Sequence, residues 1–160
     1  MTTVVVVGNP RRNSRTRDAA VSVAEKLTGA PPDAVLELGE IGPALLDGQS
    51  EAVQEAVDTV KRAAVVVVAS PTYKAAYTGL LKLFLDLLPT GEGLRGKVVI
   101  PVMLGGGLAH ALVADLVLKP VLVELGATTP APGLFLLDSS YQSDGRVDEY
   151  AERWKDVVTS

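Results

Sequence analysis

Short apolar runs that alternate with helical segments constrain the fold of this chain more than any other feature. The clearest run, 63–69, is continuously apolar and rich in valine, which is typical of a strand covered by helices on both faces. The predicted strands are 4–7, 34–38, 63–69, 98–104 and 133–137, and the predicted helices are about 14–27, 51–62, 79–88, 109–125 and 148–158. This fivefold alternation predicts an α/β fold with a five-stranded, doubly wound parallel sheet, in one domain over residues 1–160.

The composition excludes several classes of chemistry. The chain has no cysteine and one histidine, His110, so thiol redox chemistry, thiolate zinc sites and histidine metal clusters are excluded. Any redox chemistry must therefore use a bound organic cofactor. The net charge of −4 offers no basic surface for nucleic acid, and no apolar stretch is long enough to cross a membrane. Because the first residues lack a signal-peptide pattern, we expect a cytoplasmic protein.

The loop after the first predicted strand, 8–16, has the composition of a phosphate site. Ligands of doubly wound sheets bind at the carboxyl ends of strands. Ser14 and Thr16 stand at a helix start, where free backbone N–H groups and the helix dipole favour an anion. The basic residues of the loop are Arg11, Arg12 and Arg15. The alternative is that Asn13 or Ser14 only caps the helix while the arginines are solvated.

Two further loops are expected at the same edge of the sheet, and both suit a flat ring. After the third strand, Pro71 fixes a turn and Tyr73 offers an aromatic side chain. After the fourth strand, the glycine run 105–107 lets the backbone approach a planar ligand without intervening side chains. Each loop alone is also compatible with an ordinary turn. Their coincidence with loop 8–16 on one edge favours a shared ligand site.

Three other features have weaker functional interpretations. Residues 91–96 match G-x-G-x-x-G, and 91–97 match most of a P-loop, but a predicted helix precedes them and a strand follows, which is the wrong context for either motif. Ser70 lacks the flanking glycines of a hydrolase nucleophile elbow. His110 is a candidate acid or base, a candidate hydrogen-bond partner of a ligand, or simply a solvent-facing residue at a helix start.

The three loops resemble those of the NADPH-dependent FMN reductase family, within the flavodoxin-like superfamily. They are most similar to flavin reductases that serve alkanesulfonate monooxygenases. The likeness covers most of 3–125 and is strongest at 70–122; the matching segments are GNPRRNSRT at 8–16, SPTYKAAYTGLLK at 70–82, LGGGLAH at 104–110 and LKPVL at 118–122. The resemblance implies a flavodoxin-like three-layer sandwich and an oxidoreductase with FMN and NADPH as cofactors. Hydride would pass from nicotinamide to FMN, and electrons onward to flavin, quinone, oxygen or a partner monooxygenase.

The resemblance also implies roles for particular residues. The FMN phosphate would be held by Asn9, Arg11, Ser14 and Thr16. The isoalloxazine ring would be framed by Pro71, Thr72, Tyr73 and Lys74, with Gly105 and Gly106 at its other edge. The full predicted cofactor site adds Arg15, Ser70 and Gly107, without a catalytic residue or a metal ligand. Asn9 stands where the family usually has serine, but an amide can still donate to a phosphate.

The helices predicted at 79–88 and 109–125 have unusually narrow polar faces. Their polar residues are chiefly two i,i+4 pairs, Lys82 with Asp86 and Asp115 with Lys119. A helix that covers only a sheet should show a wider polar face. We therefore expect both helices to bury a second side against another subunit, as a homodimer or homotetramer, which agrees with the resemblance to dimeric and tetrameric reductases.

Two residues of the second helix carry separate expectations. Pro120 removes a backbone N–H from the helix and so predicts a kink or a π-bulge. By the resemblance, reductases that deliver flavin to a monooxygenase can have an inserted aromatic residue near the position of Leu116. Leucine offers no stacking surface there, which weighs against the role of flavin donor.

Two other classes of function fit the sequence less well. A flavodoxin-type electron-transfer protein would have a strongly acidic face and more aromatic residues than the 4% of this chain. A phosphorylated receiver domain would need acidic residues where the chain has Asn9 and Ser70-Pro71. Within the reductases, a quinone, azo or metal-ion acceptor stays open, as does the choice between NADPH and NADH.

Overall fold

The computed structural model describes all 160 residues and contains one five-stranded sheet with exclusively parallel neighbours. The strands are β1 (Thr3–Val7), β2 (Ala34–Glu37), β3 (Val65–Pro71), β4 (Val98–Gly105) and β5 (Leu134–Leu137). Their order across the sheet is β2-β1-β3-β4-β5, which is the flavodoxin-like order. The prediction of a doubly wound α/β fold is therefore confirmed.

Five α-helices connect and cover the strands. They are α1 (Arg15–Thr28), α2 (Glu51–Arg62), α3 (Gly79–Leu85), α4 (Lys119–Glu124) and α5 (Arg146–Thr159). A π-helical turn, Ala114–Leu118, directly precedes α4, and short 3-10 turns lie at Leu38–Glu40, Gly42–Leu46 and Leu108–His110. None of these helices has both the length and the apolarity needed to span a bilayer.

The valines of β1 and β3 form the centre of the protein. Val4 and Val6 pack into a buried apolar cluster on one face of the sheet, while Val5 and Val7 belong to the cluster on the other face. Each such valine stabilises the fold by about 1.5–3 kcal/mol relative to an exposed one. Because both faces of the sheet are covered, successive residues of these strands are buried on one face or the other. This explains why the sequence shows continuous apolar runs here instead of alternating apolar and polar residues.

Hydroxyl side chains begin the helices that lie near the carboxyl ends of the strands. Ser14 caps α1 by accepting the Arg17 N–H at 3.1 Å. Thr78 caps α3 by accepting the Leu81 N–H at 3.1 Å. Each cap satisfies one of the N–H groups that a helix start leaves without a partner. The first turn of α1 is thereby held beside the end of β1.

Several element boundaries differ from those predicted. β3 begins at Val65 rather than at 63 because Ala63 ends α2 as its C-cap, and it extends to Pro71, which pairs with Leu104. The helix predicted to reach residue 88 ends at Leu85, and tight turns continue from there. The last helix begins at residue 146, just after a glycine with φ of 77°.

The helix predicted over 109–125 is not continuous. It consists of the 3-10 turn Leu108–His110, the π-helical turn Ala114–Leu118 and α4. In the π-helical turn the N–H of Lys119 reaches back to the carbonyl of Ala114. Pro120, which cannot donate an N–H to the regular ladder, follows directly. The prediction of a kink or π-bulge at this proline is confirmed.

Candidate functional site

A cavity of about 530 Å³ opens at the carboxyl ends of β1, β3, β4 and β5, a size within the usual range for small-ligand sites. It is lined by Asn9, Pro10, Arg11, Ser14, Arg15, Thr16, Pro71, Tyr73, Leu104 and Asp138. The loop after β1 and the first turn of α1 form one wall, and the ends of β3 and β4 form another. The edge predicted from the sequence therefore carries a cavity.

The arginines near this cavity divide into paired and unpaired groups. Arg12 forms an ion pair with Glu40 at 2.8 Å, and Arg17 faces Glu37 at 3.6 Å. Arg11 and Arg15 line the cavity and have no carboxylate within ion-pair distance. The cavity therefore has two unpaired guanidinium groups beside the N-terminus of a 14-residue helix, an arrangement that favours an anion.

Asn9 braces the loop that carries these arginines. Its side-chain amide donates to Thr16 Oγ1 at 3.0 Å, and its carbonyl accepts the Arg11 N–H at 2.9 Å. One N–H of the amide is left over for a ligand. The asparagine in place of the usual serine therefore links the start of the loop to the start of α1 while it still faces the cavity.

The loop after β3 has a tight and strained conformation. Tyr73 and Ala76 exchange two backbone hydrogen bonds, of 2.8 and 3.1 Å, around a two-residue turn. The turn residues, Lys74 and Ala75, have φ of 51° and 64°. Two consecutive left-handed residues match a type I′ turn, and a non-glycine residue in that conformation costs about 1–2 kcal/mol. The two backbone hydrogen bonds hold Tyr73, which is half exposed at the cavity, in spite of this strain.

Two neighbouring residues of the same loop face inward rather than into the cavity. Ser70 is fully buried; its hydroxyl accepts the Thr78 N–H at 3.0 Å and donates to the Pro71 carbonyl. Thr72 donates its N–H and its hydroxyl to the Leu104 carbonyl, at 2.8 and 2.9 Å. These two side chains connect the loop to the sheet.

The glycines after β4 have different surroundings. A Cβ at Gly105 would lie 2.7 Å from the ring of Phe135, so the close packing there requires glycine. Cβ atoms at Gly106 and Gly107 would meet nothing within 4 Å. None of the three glycines is among the residues that line the cavity, which reaches only to Leu104 on this strand. Gly105 allows β4 and β5 to pack tightly, and the next two glycines leave open space at the end of β4.

The sequence reasoning missed Asp138. This residue directly follows β5, lines the cavity and has no ion-pair partner. Three residues further on, Tyr141 donates its hydroxyl to Asp18 of α1 at 2.8 Å, which holds the loop after β5 against that helix. Burial and the Asp18 carboxylate raise the pKa of Tyr141 to about 12. The one feature of the sequence that could have pointed to Asp138 is its position directly after the fifth predicted strand, at the edge where the other loops lie.

Other features of the sequence lie away from the cavity. His110 ends an exposed 3-10 turn, and residues 91–96 form turns between α3 and β4, as expected for a chance motif match. A depression of about 340 Å³ beside Ala75 is lined almost entirely by apolar residues of 108–117. Another, of about 480 Å³, lies along the open edge of β5 around Trp154, away from the three predicted loops.

The fold and this site together define a flavodoxin-like protein with an arginine-lined cavity at the carboxyl ends of its strands. Comparison with known families is more specific. The chain belongs to the NADPH-dependent FMN reductase family, whose model matches residues 1–142.

Individual relatives agree with this membership. The chain is 39% identical over 143 residues to an FMN reductase (NADPH) of Escherichia coli strain K12, covering 87% of this chain and 74% of the relative. It is 31% identical over 169 residues to the NADH-dependent FMN reductase SfnF of Pseudomonas putida, covering 98% and 90%. The crystal structure of the NADH:FMN oxidoreductase EmoB in its apo form superposes with a TM-score of 0.88 at 32% identity, covering 99% and 90%. The predicted NAD(P)H-dependent reduction of FMN by an oxidoreductase of this family is confirmed.

Proposed function

We propose that the cavity described above is the FMN site of this reductase. The observation that carries the proposal is the pair of unpaired arginines, Arg11 and Arg15, beside the start of α1. In this assignment both guanidinium groups bind the FMN phosphate, together with Asn9, Ser14 and Thr16. A doubly charged phosphate forms charge-assisted hydrogen bonds with two guanidinium groups of this kind.

The isoalloxazine ring is assigned to the other side of the cavity. There, Pro71 and Tyr73 line the wall, and the Lys74–Ala75 turn holds Tyr73 in place. The open space beside Gly106 and Gly107 allows a planar ring to approach the backbone. Bound FMN supplies the chemistry of accepting hydride from the nicotinamide. The side chains of this site bind and orient; none is needed as an acid or a base.

The first experiment is a flavin titration with matched ligands and variants. FMN and riboflavin differ by the phosphate, so Arg11→Gln and Arg15→Gln should each weaken FMN binding by about 10- to 100-fold and leave riboflavin binding unchanged. Arg12→Gln is the matched control, because Arg12 pairs with Glu40 outside the cavity. Equal losses for Arg11→Gln and Arg12→Gln would contradict the assignment.

The second experiment measures turnover. Protein with added FMN is mixed anaerobically with NADPH and, in a separate experiment, with NADH, and the loss of visible flavin absorbance measures the reduction of FMN. Bleaching at catalytic protein concentration separates a reductase from a flavodoxin-type electron-transfer protein. The ratio of the two rates decides the preferred donor.

We also propose that the chain forms a homodimer or homotetramer through the faces of residues 79–88 and 109–125. Leu108, Leu112, Leu116 and Val123 are 58, 65, 69 and 51% exposed, which is a large apolar surface for one face of a monomer. Sedimentation of the wild type at micromolar concentration tests this. Leu112→Glu should shift the protein toward monomer, whereas Val157→Glu, an equally apolar exposed position on α5, should not. A monomeric wild type would contradict the proposal.

The onward acceptor and the cellular location extend the same proposal. We infer a cytoplasmic location, where nicotinamide nucleotides are supplied, and an acceptor among free flavin, quinone, oxygen and a partner monooxygenase. Service to a monooxygenase requires that reduced FMN leave the protein. Stopped-flow measurement of FMN release against turnover tests this: release slower than turnover would exclude a flavin donor and favour a bound prosthetic group.

A further inference from the structure

Residues 37–40 contact the loop 8–16, which we call the phosphate loop, from outside the cavity. We call residues 37–40 the bracing segment; it comprises the last residue of β2 and the 3-10 turn Leu38–Glu40. None of its residues lines the cavity. It nevertheless meets the phosphate loop and the start of α1 through two ion pairs, one hydrogen bond and one close backbone approach.

The hydrogen bond joins Glu37 to Asn13. Glu37 Oε1 accepts the Asn13 N–H at 2.9 Å, and the Glu37 side chain is only 11% exposed. Asn13 has φ of 50°, a left-handed conformation that side chains disfavour, and it immediately precedes Ser14, the cap of α1. A poorly solvated carboxylate on this N–H stabilises the turn that leads from the phosphate loop into the helix.

The second oxygen of the same carboxylate faces Arg17. Arg17 Nε lies 3.6 Å from Glu37 Oε2 and is buried without a hydrogen-bond partner. This ion pair directs Arg17 away from the cavity, in contrast to Arg11 and Arg15. One carboxylate therefore holds the backbone at Asn13 and also keeps Arg17 outside the cavity.

Gly39 provides the close approach. A Cβ built at Gly39 would lie 2.6 Å from the Pro10 carbonyl oxygen and 2.9 Å from that of Asn9. These are backbone atoms of the phosphate loop, so a side chain at Gly39 must displace the loop itself. The bracing segment therefore fits against the loop only with glycine at this position.

We propose that Glu37 is a positioning residue for phosphate recognition, which acts through Asn13 and Arg17 and does not touch the ligand. The proposal rests on the proposed function, since it concerns the same FMN site. The positioning role and simple electrostatic repulsion predict opposite effects of removing Glu37 on FMN affinity. A carboxylate near a phosphate repels it, so if Glu37 were only a nearby charge, its removal would tighten FMN binding. If Glu37 positions the loop, its removal weakens FMN binding.

The test compares four proteins by titration with FMN and with riboflavin. Glu37→Ala should bind FMN about tenfold more weakly than the wild type, with riboflavin binding unchanged. Asn13→Gly introduced into Glu37→Ala should recover most of this loss, because glycine adopts positive φ without strain. Glu40→Ala removes the same charge from the same segment but from an exposed ion pair, and should change FMN binding less than twofold.

Amide hydrogen exchange at Asn13 gives a second readout that does not need FMN. The Asn13 N–H should exchange faster in Glu37→Ala than in the wild type and in Glu40→Ala. If Glu37→Ala unfolds, two other variants replace it. Glu37→Gln keeps an acceptor oxygen without the charge, so its FMN affinity should fall less than threefold. Gly39→Ala displaces the loop while Glu37 stays intact, so its FMN affinity should fall about tenfold.

The outcomes separate the two proposals. FMN binding to Glu37→Ala that equals or exceeds that of the wild type overturns the positioning role while the FMN site stands. A wild type that binds no FMN overturns the site assignment, and Asn13 exchange then decides the bracing role alone. Parallel losses of FMN and riboflavin affinity would mean general destabilisation and would also overturn the proposal.

Discussion

The substitution Thr78→Val is expected to destabilise the protein far more than its small change in shape suggests. Thr78 is 2% exposed and makes two hydrogen bonds through one hydroxyl. The hydroxyl donates to the Gly8 carbonyl at 2.6 Å and accepts the Leu81 N–H at 3.1 Å. It thereby joins the end of β1, where the phosphate loop begins, to the start of α3.

Valine keeps the volume and removes both bonds. Loss of the helix cap costs about 1 kcal/mol. The Gly8 carbonyl, itself buried, is left without this partner, which costs about 1–3 kcal/mol. The free energy of unfolding should therefore fall by about 2–4 kcal/mol, which corresponds to a Tm lower by roughly 5–15 °C for a chain of this size.

Chemical denaturation of wild type, Thr78→Val and Thr78→Ser measures this effect. Serine retains the hydroxyl and loses only a methyl group, so it should cost about 1 kcal/mol. If valine and serine destabilise the protein equally, the hydroxyl contributes nothing and the reasoning is refuted. Because Gly8 begins the phosphate loop, Thr78→Val should also weaken FMN binding, and Thr78→Ser should not.

Two other positions give predictions of different kinds. Gly105→Ala should lower the free energy of unfolding, measured with denaturant, by about 1–3 kcal/mol, because the added Cβ meets the ring of Phe135. Gly106→Ala, whose Cβ points into open space, should lower it by less than about 0.5 kcal/mol, and equal losses would contradict the packing argument. Tyr141 has a folded-state pKa of about 12, above its ordinary value of 10.0, so the stability it contributes is complete below pH 10 and is lost as pH rises toward 12. Denaturant titrations at about pH 9 and about pH 11.5 should therefore show a larger loss in free energy of unfolding for the wild type than for Tyr141→Phe, which cannot ionise and cannot donate to Asp18. Equal losses in the two proteins would contradict a contribution from Tyr141.

The elements that could be predicted from the sequence are those with local causes. Residues 63–69 are apolar because both faces of β3 are covered, so the run itself indicates a buried parallel strand. Pro120 indicates an interrupted helix because it lacks an N–H, whatever the rest of the fold. The three candidate loops follow in the same way, since strand ends of a parallel sheet share one edge.

The site residues could be predicted only in part. Tyr73 and Pro71 were assigned to the cavity edge and line it. Ser70, from the same loop, was assigned the same role but turns inward, because alternate residues at a strand end face opposite sides. Asp138 was missed because a single aspartate after a predicted strand carries no local sign of a ligand site; its place at the cavity depends on the pairing of β5 with β4.

The sequence by itself determined the class of fold and the edge where the site lies, because hydrophobic periodicity and strand ends depend on neighbouring residues. Only the tertiary structure decided which arginines line the cavity without an ion-pair partner. Arg11, Arg12 and Arg15 are equivalent in the sequence, and they differ because Glu40, far along the chain, pairs with Arg12 and leaves the other two unpaired. Ion pairing depends on which distant residues the fold brings together, and no local pattern records that.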